Sequence, residues 1–218
     1  MTDENITLID RKAQKLISIP ENSNHFYNSV LDNIYSRRSV RNFTEQDIPD
    51  EVIEEIVRAG IFAPTAVNKQ PWRFVIIKNR QRVAECAERA RIGFLRLFRE
   101  APGMDGFVKW LSNPKADIFY SAPVLILVFS SPDAVTESDC ALAAQNMMLA
   151  AWSLGVGSCW IGLARALGSD REFLNEAEVP DDHKLVAPLI FGYPSKSNLK
   201  APVRNPNVIL SWYGKADS

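Results

Sequence analysis

The chain has 218 residues, 46% of them hydrophobic and 23% charged, a composition typical of a globular protein with a sizeable core. Its formal net charge of -1 gives no bulk electrostatic attraction for nucleic acid or an anionic membrane, so an anion site must come from a local cluster of charges. Three widely spaced cysteines, Cys86, Cys140 and Cys159, argue against a disulfide framework or a structural zinc site and favour a reducing cytoplasm.

Residues 1–30 mix polar residues with short apolar pieces, and we expect them to form an N-terminal extension or arm with a short helix at Ile6–Ile19. Residues 1–15 lack the apolar core that a signal peptide needs. The most apolar run, Ala122–Phe129, is too short to span a bilayer. Residues 31–218 are predicted to form a single domain.

A basic cluster follows a helix that is predicted to run from Phe26 to Tyr35. The sequence Arg37-Arg38-Ser39-Val40-Arg41 places three guanidinium groups and a hydroxyl within five residues. Arginine presents a planar fork of donors that fits a phosphate bidentately and stays charged at any ordinary pH. A solvated basic face or an ion-pair cluster would have the same composition, so the cluster alone leaves both readings open.

The period of the apolar residues predicts the elements that follow. After a turn at Thr44–Pro49, helices are expected from Val52 to before Pro64, at Arg80–Phe98 with Asn79 as its cap, at Cys140–Leu154 and at Arg171–Ala177. Buried strands are expected at Arg73–Lys78, Val124–Phe129, Ser158–Ile161 and Leu185–Phe191. The extended tail from Ser195 has an apolar end at Val208–Leu210, which needs a sheet edge in its own subunit or a partner's.

Two segments allow alternative interpretations. Residues 101–117 contain glycines and prolines but also large apolar side chains, which suits a lid over a pocket and equally suits a loop that buries its aromatics in the core. The helix at Cys140–Leu154 is apolar on nearly every face, so it is either the central helix or part of a subunit interface.

Six blocks of residues occur in a fixed order between residue 34 and about residue 210. They are RRSVRNF at 37–43, APTAVNKQPWRF at 63–74, AQNM at 144–147, GVGSCWIG at 155–162, GYP at 192–194 and PVR at 202–204. Each block is weak alone, but the ordered set resembles the nitroreductase family of flavoproteins. Residues 1–30 lie outside this match.

The resemblance implies an α+β fold in which helices flank a mixed central sheet and a C-terminal arm is exchanged across a homodimer. It also implies FMN at the dimer interface, in two sites shared by the subunits. In the family's pattern, Arg37, Ser39 and Arg41 hold the phosphate and ribityl chain, with Arg38 between them. Arg204 would close over the phosphate.

Two further groups of residues are implied to contact the flavin ring. Pro64, Thr65, Ala66 and Asn68, with Gln70 just beyond them, would come from the other subunit. Trp160, Ile161 and Gly162 would pass their backbone near flavin N5 and O4. The amides of Asn68 and Gln70 can both donate to and accept from the polar ring edge, and backbone N–H groups near N5 would stabilise the electron-rich reduced ring.

The implied function is that of an FMN-dependent oxidoreductase, which takes hydride from NAD(P)H and reduces nitroaromatics, quinones or similar electron-poor small molecules by a ping-pong mechanism. No catalytic side chain is expected, because flavin N5 carries the chemistry. His25 and His183 are isolated and are interpreted as surface or structural residues.

Three alternatives stay open at this point. One is a reductive dehalogenase or flavin-consuming enzyme of the same fold. Another is a flavin-binding or storage protein with little turnover. The third is a domain that binds an anionic metabolite through the arginine cluster without a flavin.

Overall fold

A computed structural model of the protein describes residues 28–211 and residue 213. The chain divides into two compact units, of which the larger comprises residues 37–198. The helix predicted at Ile6–Ile19, together with His25, lies outside the described residues.

The smaller unit includes helix α1 (Ser29–Ser36), in which no residue is buried. The apolar end of the tail at Val208–Leu210, which was expected to need a sheet edge, forms no strand within the described residues. An extended tail becomes a strand only when a neighbour pairs with its backbone groups. The exchange of this tail with a partner therefore stays a prediction.

The larger unit contains the sheet and the helices that cover it. Its helices are α2 (Asp50–Ile61), α3 (Arg80–Phe98), α4 (Asp105–Leu111), α5 (Ser138–Ser153) and α6 (Arg171–Glu176), with 3₁₀ helices at Ala66–Asn68 and Gly162–Ser169. Its strands are β1 (Trp72–Ile77), β2 (Val124–Ser130), β3 (Gly157–Trp160) and β4 (Lys184–Gly192). All four predicted strands are confirmed, and so is the cap of α3, where the Asn79 side chain accepts from the Gln81 and Arg82 N–H groups.

The sheet has the order β1-β2-β4-β3, and each pair of neighbouring strands is antiparallel. A parallel bridge between Ser39 and Ser158 adds the basic cluster to the outer edge of β3. The α+β fold with helices around a central sheet is thereby confirmed. The parallel element of the sheet comes from this short bridge, while the four named strands are antiparallel.

Two core layers enclose the sheet. Every residue of β2 is buried, and side chains alternate between the two faces of a strand. Leu125, Leu127 and Phe129 belong to the layer that includes residues of α3, while Ile126 and Val128 pack with residues of α2 and α5. A strand covered on both faces reads as a continuous apolar run, which is why the sequence predicted β2.

Two predictions are refined by the structure. On α5, Met147 is fully buried but Leu142 is 45% exposed, so the described residues do not cover this helix on all sides. Residues 101–117 contain helix α4, so they are not a continuous loop. Leu111 of α4 enters the core, whereas Phe107 is 48% exposed. No helix among the described residues is long and apolar enough to cross a membrane.

Candidate functional site

The basic cluster lies as a short extended segment along the outer edge of β3. The Val40 N–H donates to the Ser158 carbonyl oxygen at 2.9 Å, within the parallel bridge of Ser39 and Ser158. Successive side chains of an extended segment point to opposite faces. Because Val40 is buried, at 1% exposure, we place Arg37, Ser39 and Arg41 together on the opposite face.

A glycine makes this close approach possible. A Cβ placed on Gly157 would lie 2.5 Å from Val40 Cγ2 and 3.0 Å from Pro194 Cγ, which real Cβ atoms do not tolerate. Val40 therefore occupies the space that a side chain at residue 157 would need. The block GVGSCWIG thus contributes a flat edge onto which the basic cluster docks.

The charges of the basic cluster act on the thiol of Cys159, the residue that follows Ser158 in β3. Burial raises the pKa of the Cys159 thiol, and the charge of Arg41, a hydrogen bond with Ser39 and the charge of Arg37 oppose that shift. Arg41 is exposed and forms no ion pair with a carboxylate within residues 28–211 and 213. Positive charge without a carboxylate partner favours an anion here.

Arg38 has a different orientation from its neighbours in the sequence. It is half-buried, and its Nη1 donates to the Arg37 carbonyl oxygen at 2.9 Å. Its assigned part in phosphate binding stays a prediction.

The end of β3 supplies the next group of predicted site residues. Trp160 is half-buried and Ile161 is buried, and the Ile161 N–H donates to the Pro188 carbonyl oxygen at 2.9 Å. That N–H is therefore engaged by the backbone of β4 and does not point to a ligand. Gly162 is exposed, and a Cβ added to it would meet nothing within 4 Å. The backbone at Gly162 therefore borders open space into which a planar ligand could fit.

The third group forms a strained loop before β1. Val67, Asn68 and Gln70 have φ values of 46°, 56° and 49°, in the left-handed region that side chains other than glycine's rarely adopt. The Thr65 Oγ1 accepts from the Gln70 N–H at 3.3 Å, and the Gln70 side chain donates to Asn68 Oδ1 at 3.0 Å. Strain of this kind persists where surrounding contacts impose it, often at ligand-binding sites.

Exposure within this loop follows its position between the helices and β1. Pro64, Asn68 and Gln70 are exposed, whereas Thr65 and Ala66 are half-buried. The exposed polar side chains are therefore available to a ligand or to another subunit.

The loop and the basic cluster lie at opposite corners of the sheet. Positions along β4 give a common scale for the two groups. The loop precedes Trp72, which pairs with Ser130, and Ser130 in turn pairs with Lys184 at the start of β4. The cluster pairs with Ser158, which pairs with Phe191 near the end of β4. Across the sheet, four strand spacings separate the loop from the cluster, a distance of about 19 Å. Along the strands, they lie seven residues of β4 apart, a distance of about 23 Å. The structure thus brings the cluster and the end of β3 together, but does not bring the loop of the same chain to them.

Arg204 belongs to the smaller unit and is exposed. Its predicted contact with the phosphate stays a prediction.

Two polar residues near these groups were not among the predicted site residues. Asp139, only 3% exposed, accepts from the Ala66 N–H through Oδ2 at 3.1 Å. The hydroxyl of Ser158 is buried without a hydrogen-bond partner among the described atoms. In the sequence, Asp139 looks like an ordinary helix cap, and only its long-range contact with Ala66 shows another role. For Ser158, the signal available in the sequence was a polar residue inside a buried strand.

The arrangement fits the FMN that the resemblance implies. The exposed arginine and serine side chains can hold a phosphate, and the open backbone at Gly162 leaves space for a flat ring beside them. No group of three or more His, Cys, Asp or Glu side chains that could hold a metal ion occurs within the described part of the chain.

Comparison with known proteins agrees with this description. The model of the Nitroreductase family matches residues 34–193. A crystal structure of a nitroreductase with bound FMN from Bacteroides fragilis is 30% identical, with a TM-score of 0.74, and the match covers 85% of this chain and 100% of that one.

Two curated relatives extend the comparison. A protein of Archaeoglobus fulgidus, named for NADH dehydrogenase and NAD(P)H nitroreductase activity, is 29% identical over 167 residues, which cover 75% of this chain and 84% of that protein. An iodotyrosine deiodinase of Hydra vulgaris is 34% identical over 122 residues, which cover 53% of this chain and 42% of that protein. Since the family model and the FMN-bound structure both match most of the chain, the protein belongs to the Nitroreductase family.

Proposed function

We propose that the protein is an FMN-dependent oxidoreductase that takes hydride from NAD(P)H and reduces nitroaromatics, quinones or similar electron-poor molecules in a ping-pong cycle. The observation that carries the proposal is the basic face of residues 37–41 beside the open backbone at Gly162. Membership of the family, the FMN-bound relative and the NAD(P)H named for the Archaeoglobus protein support it.

The residues of the cluster act by binding and orienting the cofactor. Arg37 and Arg41 neutralise the phosphate, which would otherwise be costly to remove from water, and the Ser39 hydroxyl donates to it or to the ribityl chain. Gly162 keeps one edge of the ring accessible, so that donor and acceptor can use the same face in turn. When bound, FMN supplies the hydride chemistry at N5, so the chain needs no nucleophile or general base of its own.

A complete site requires two chains in this proposal. The loop that includes Pro64, Thr65, Ala66, Asn68 and Gln70 is too far from the cluster of its own chain to share one ligand with it. A second copy places its loop over that cluster, and the two copies together form two equivalent sites. The exposed Leu142 of α5 and the tail with Arg204 are further surfaces that a homodimer would cover.

The first test is a visible spectrum of the purified protein during anaerobic titration with NADH and, separately, NADPH. We expect flavin bands that bleach with at least one of the two nucleotides, followed by recovery on addition of a nitroaromatic or a quinone. Bands that persist with both nucleotides would exclude the proposed donor. A protein that stays colourless after incubation with FMN would contradict the cofactor assignment and leave an anion site.

Reductive dehalogenation is the second candidate, because the Hydra deiodinase is 34% identical over the matched residues. Residues 101–117, as the proposed lid, would decide between the two functions. Phe107 and Trp110 of α4 are 48% and 37% exposed, so these aromatic side chains are available to a substrate. Turnover of iodotyrosine and of a nitroaromatic should be measured on the same reduced sample. Faster iodide release than nitro reduction would favour the deiodinase.

A further inference from the structure

Asp139 is a buried carboxylate whose contact leads away from its own helix. It lies in the first turn of α5 and is 3% exposed, while the cap of that helix is Glu137, whose side chain makes no cap hydrogen bond. The Asp139 carboxylate instead accepts from the Ala66 N–H at 3.1 Å, across 73 residues of sequence. A carboxylate is costly to bury without hydrogen bonds, and the positive end of a helix favours it.

The donor of this hydrogen bond belongs to the strained loop. Three of its residues have left-handed backbone conformations, and such strain relaxes unless contacts outside the strained residues oppose it. The Thr65 hydroxyl closes the loop on itself, at 3.3 Å from the Gln70 nitrogen. The carboxylate of Asp139 joins the loop to a long helix, which itself packs in the core through Met147 and its neighbours.

We propose that Asp139 is a positioning residue for the cofactor site: it holds the loop of residues 64–70 in the strained conformation that the loop needs to contact the flavin bound to the partner's basic cluster. This inference rests on the proposed function, since it assigns the loop a flavin to contact. Asp139 itself touches neither cofactor nor substrate; it acts through the Ala66 N–H.

Two substitutions of Asp139 and one matched control test the role. Asp139→Ala removes the acceptor, and Asp139→Asn removes the charge but keeps one carbonyl oxygen as an acceptor. Glu137→Gln removes the same charge from the same helix end, but its partner is the exposed Lys184 at 3.3 Å. Each variant is prepared as the full chain, stripped of FMN and titrated with FMN by flavin fluorescence, with the circular dichroism of the bound flavin as the second measurement.

We expect Asp139→Ala to raise the dissociation constant of FMN on the order of tenfold, because loss of a charged hydrogen bond frees the loop to relax. The Asp139→Asn variant should lose less, and Glu137→Gln should match the unmodified protein. The visible circular dichroism should change in Asp139→Ala even at saturating FMN, because the ring contacts of the loop are altered. A role in fold stability alone would leave that signal unchanged.

The donor of the hydrogen bond can be removed independently. Ala66→Pro deletes the N–H at the first residue of a 3₁₀ helix, and Thr65 before it is extended, at φ -135° and ψ 151°, which a following proline accepts. We expect the same loss as in Asp139→Ala, and no further loss when the two changes are combined, because both remove one interaction. Fully additive losses would contradict the inference.

Other outcomes separate this inference from the function it rests on. The positioning role is overturned if Asp139→Ala leaves both the FMN affinity and the circular dichroism unchanged. It is also overturned if this variant loses FMN only in proportion to the unfolded fraction of its apoprotein. If the unmodified protein binds no FMN, the proposed function fails instead. Hydrogen exchange of residues 64–70 in the apoprotein still tests the anchor, and exchange no faster in Asp139→Ala than in Glu137→Gln overturns it.

Discussion

At the scale of single residues, the basic cluster depends on the alternation of side chains between the two faces of an extended segment. Val40 points into the protein at 1% exposure, so Arg37, Ser39 and Arg41 can share the other face. In a helix, Arg37 and Arg41 would still share a face, but Ser39 would point to the opposite side. The two arginines and the serine therefore share one face only because the segment is extended and pairs with β3.

Replacing Arg41 with Ala should weaken FMN binding by about 1.5–3 kcal/mol, the usual cost of losing a hydrogen bond to a charged group. The dissociation constant should be measured by titration of the apoprotein with FMN. Arg96→Ala is the matched control, since Arg96 is an exposed arginine of α3, on another element. Equal affinities of the two variants would remove Arg41 from the phosphate site.

The buried thiols predict a pH dependence of stability. Burial raises the pKa of Cys86 and of Cys140 from 9.0 to about 11, with Arg89 opposing the shift at Cys86. The folded protein keeps these protons while the unfolded chain releases them, so the stabilisation is complete below pH 9 and is lost as the pH rises towards 11. All three cysteines are free and buried.

We therefore expect the free energy of unfolding in urea to fall between pH 9 and pH 10.5. The Cys86→Ala variant should show a smaller fall than the unmodified chain, by at most about 2 kcal/mol at the end of the range, since one proton corresponds to about 1.4 kcal/mol for each pH unit. Parallel curves for the two proteins would show that the Cys86 thiol does not contribute.

At the scale of elements, glycines set the distances between packed segments. Gly157 admits Val40, and a Cβ on Gly60 of α2 would lie 2.7 Å from Met147 Cγ of α5. Gly162 lies a few residues beyond Gly157 and has open space around it instead. These two glycines of one sequence block thus differ in role: a neighbouring side chain occupies the space beside Gly157, whereas the space beside Gly162 is open.

The Gly157→Ala substitution should separate the basic cluster from β3. We expect a loss of stability of about 1–3 kcal/mol, typical of overpacking, together with weaker FMN binding. Gly162→Ala is the control for stability, because its added Cβ meets no atom within 4 Å and should leave the urea midpoint nearly unchanged. Similar midpoints for both variants would mean that the cluster does not dock on residue 157 as described.

At the scale of the whole molecule, the arrangement of the predicted site residues argues for two chains. The loop before β1 and the cluster beside β3 occupy opposite corners of one sheet, and α5 runs from Asp139, bonded to the loop, towards the start of β3. A ligand in contact with both groups must therefore meet them on different subunits. This is the physical basis for a shared site in the proposed homodimer.

Mixing two variants, each with weakened FMN binding, tests that arrangement. Arg41→Ala damages the cluster and Asn68→Ala damages the loop, so a mixed dimer has one doubly damaged site and one intact site. Random reassembly should restore high-affinity FMN binding to about a quarter of the sites, since half of the dimers are mixed and each has one intact site of two. No recovery after denaturation and joint refolding would place both groups in the site of a single chain.

The sequence by itself determined the elements and the family. The periods of apolar residues located all four strands of the sheet and the long helices, because burial on one or both faces leaves a direct pattern in the chain. The six ordered blocks indicated the family and its flavin. A local signal failed at α4, which lies within a segment of glycines and prolines. The apolar tail pairs with no strand among the described residues, so its exchange with a partner stays a prediction.

Only the tertiary structure decided how the predicted residues are grouped. It placed the basic cluster beside the end of β3, set the loop at the far corner, engaged the Ile161 N–H within the sheet and revealed the contact of Asp139 with Ala66. Each of these facts depends on pairing across many residues, where backbone hydrogen bonds and packing choose the neighbours. Composition and spacing along a chain specify which groups are available, whereas the fold specifies which of them can meet one ligand.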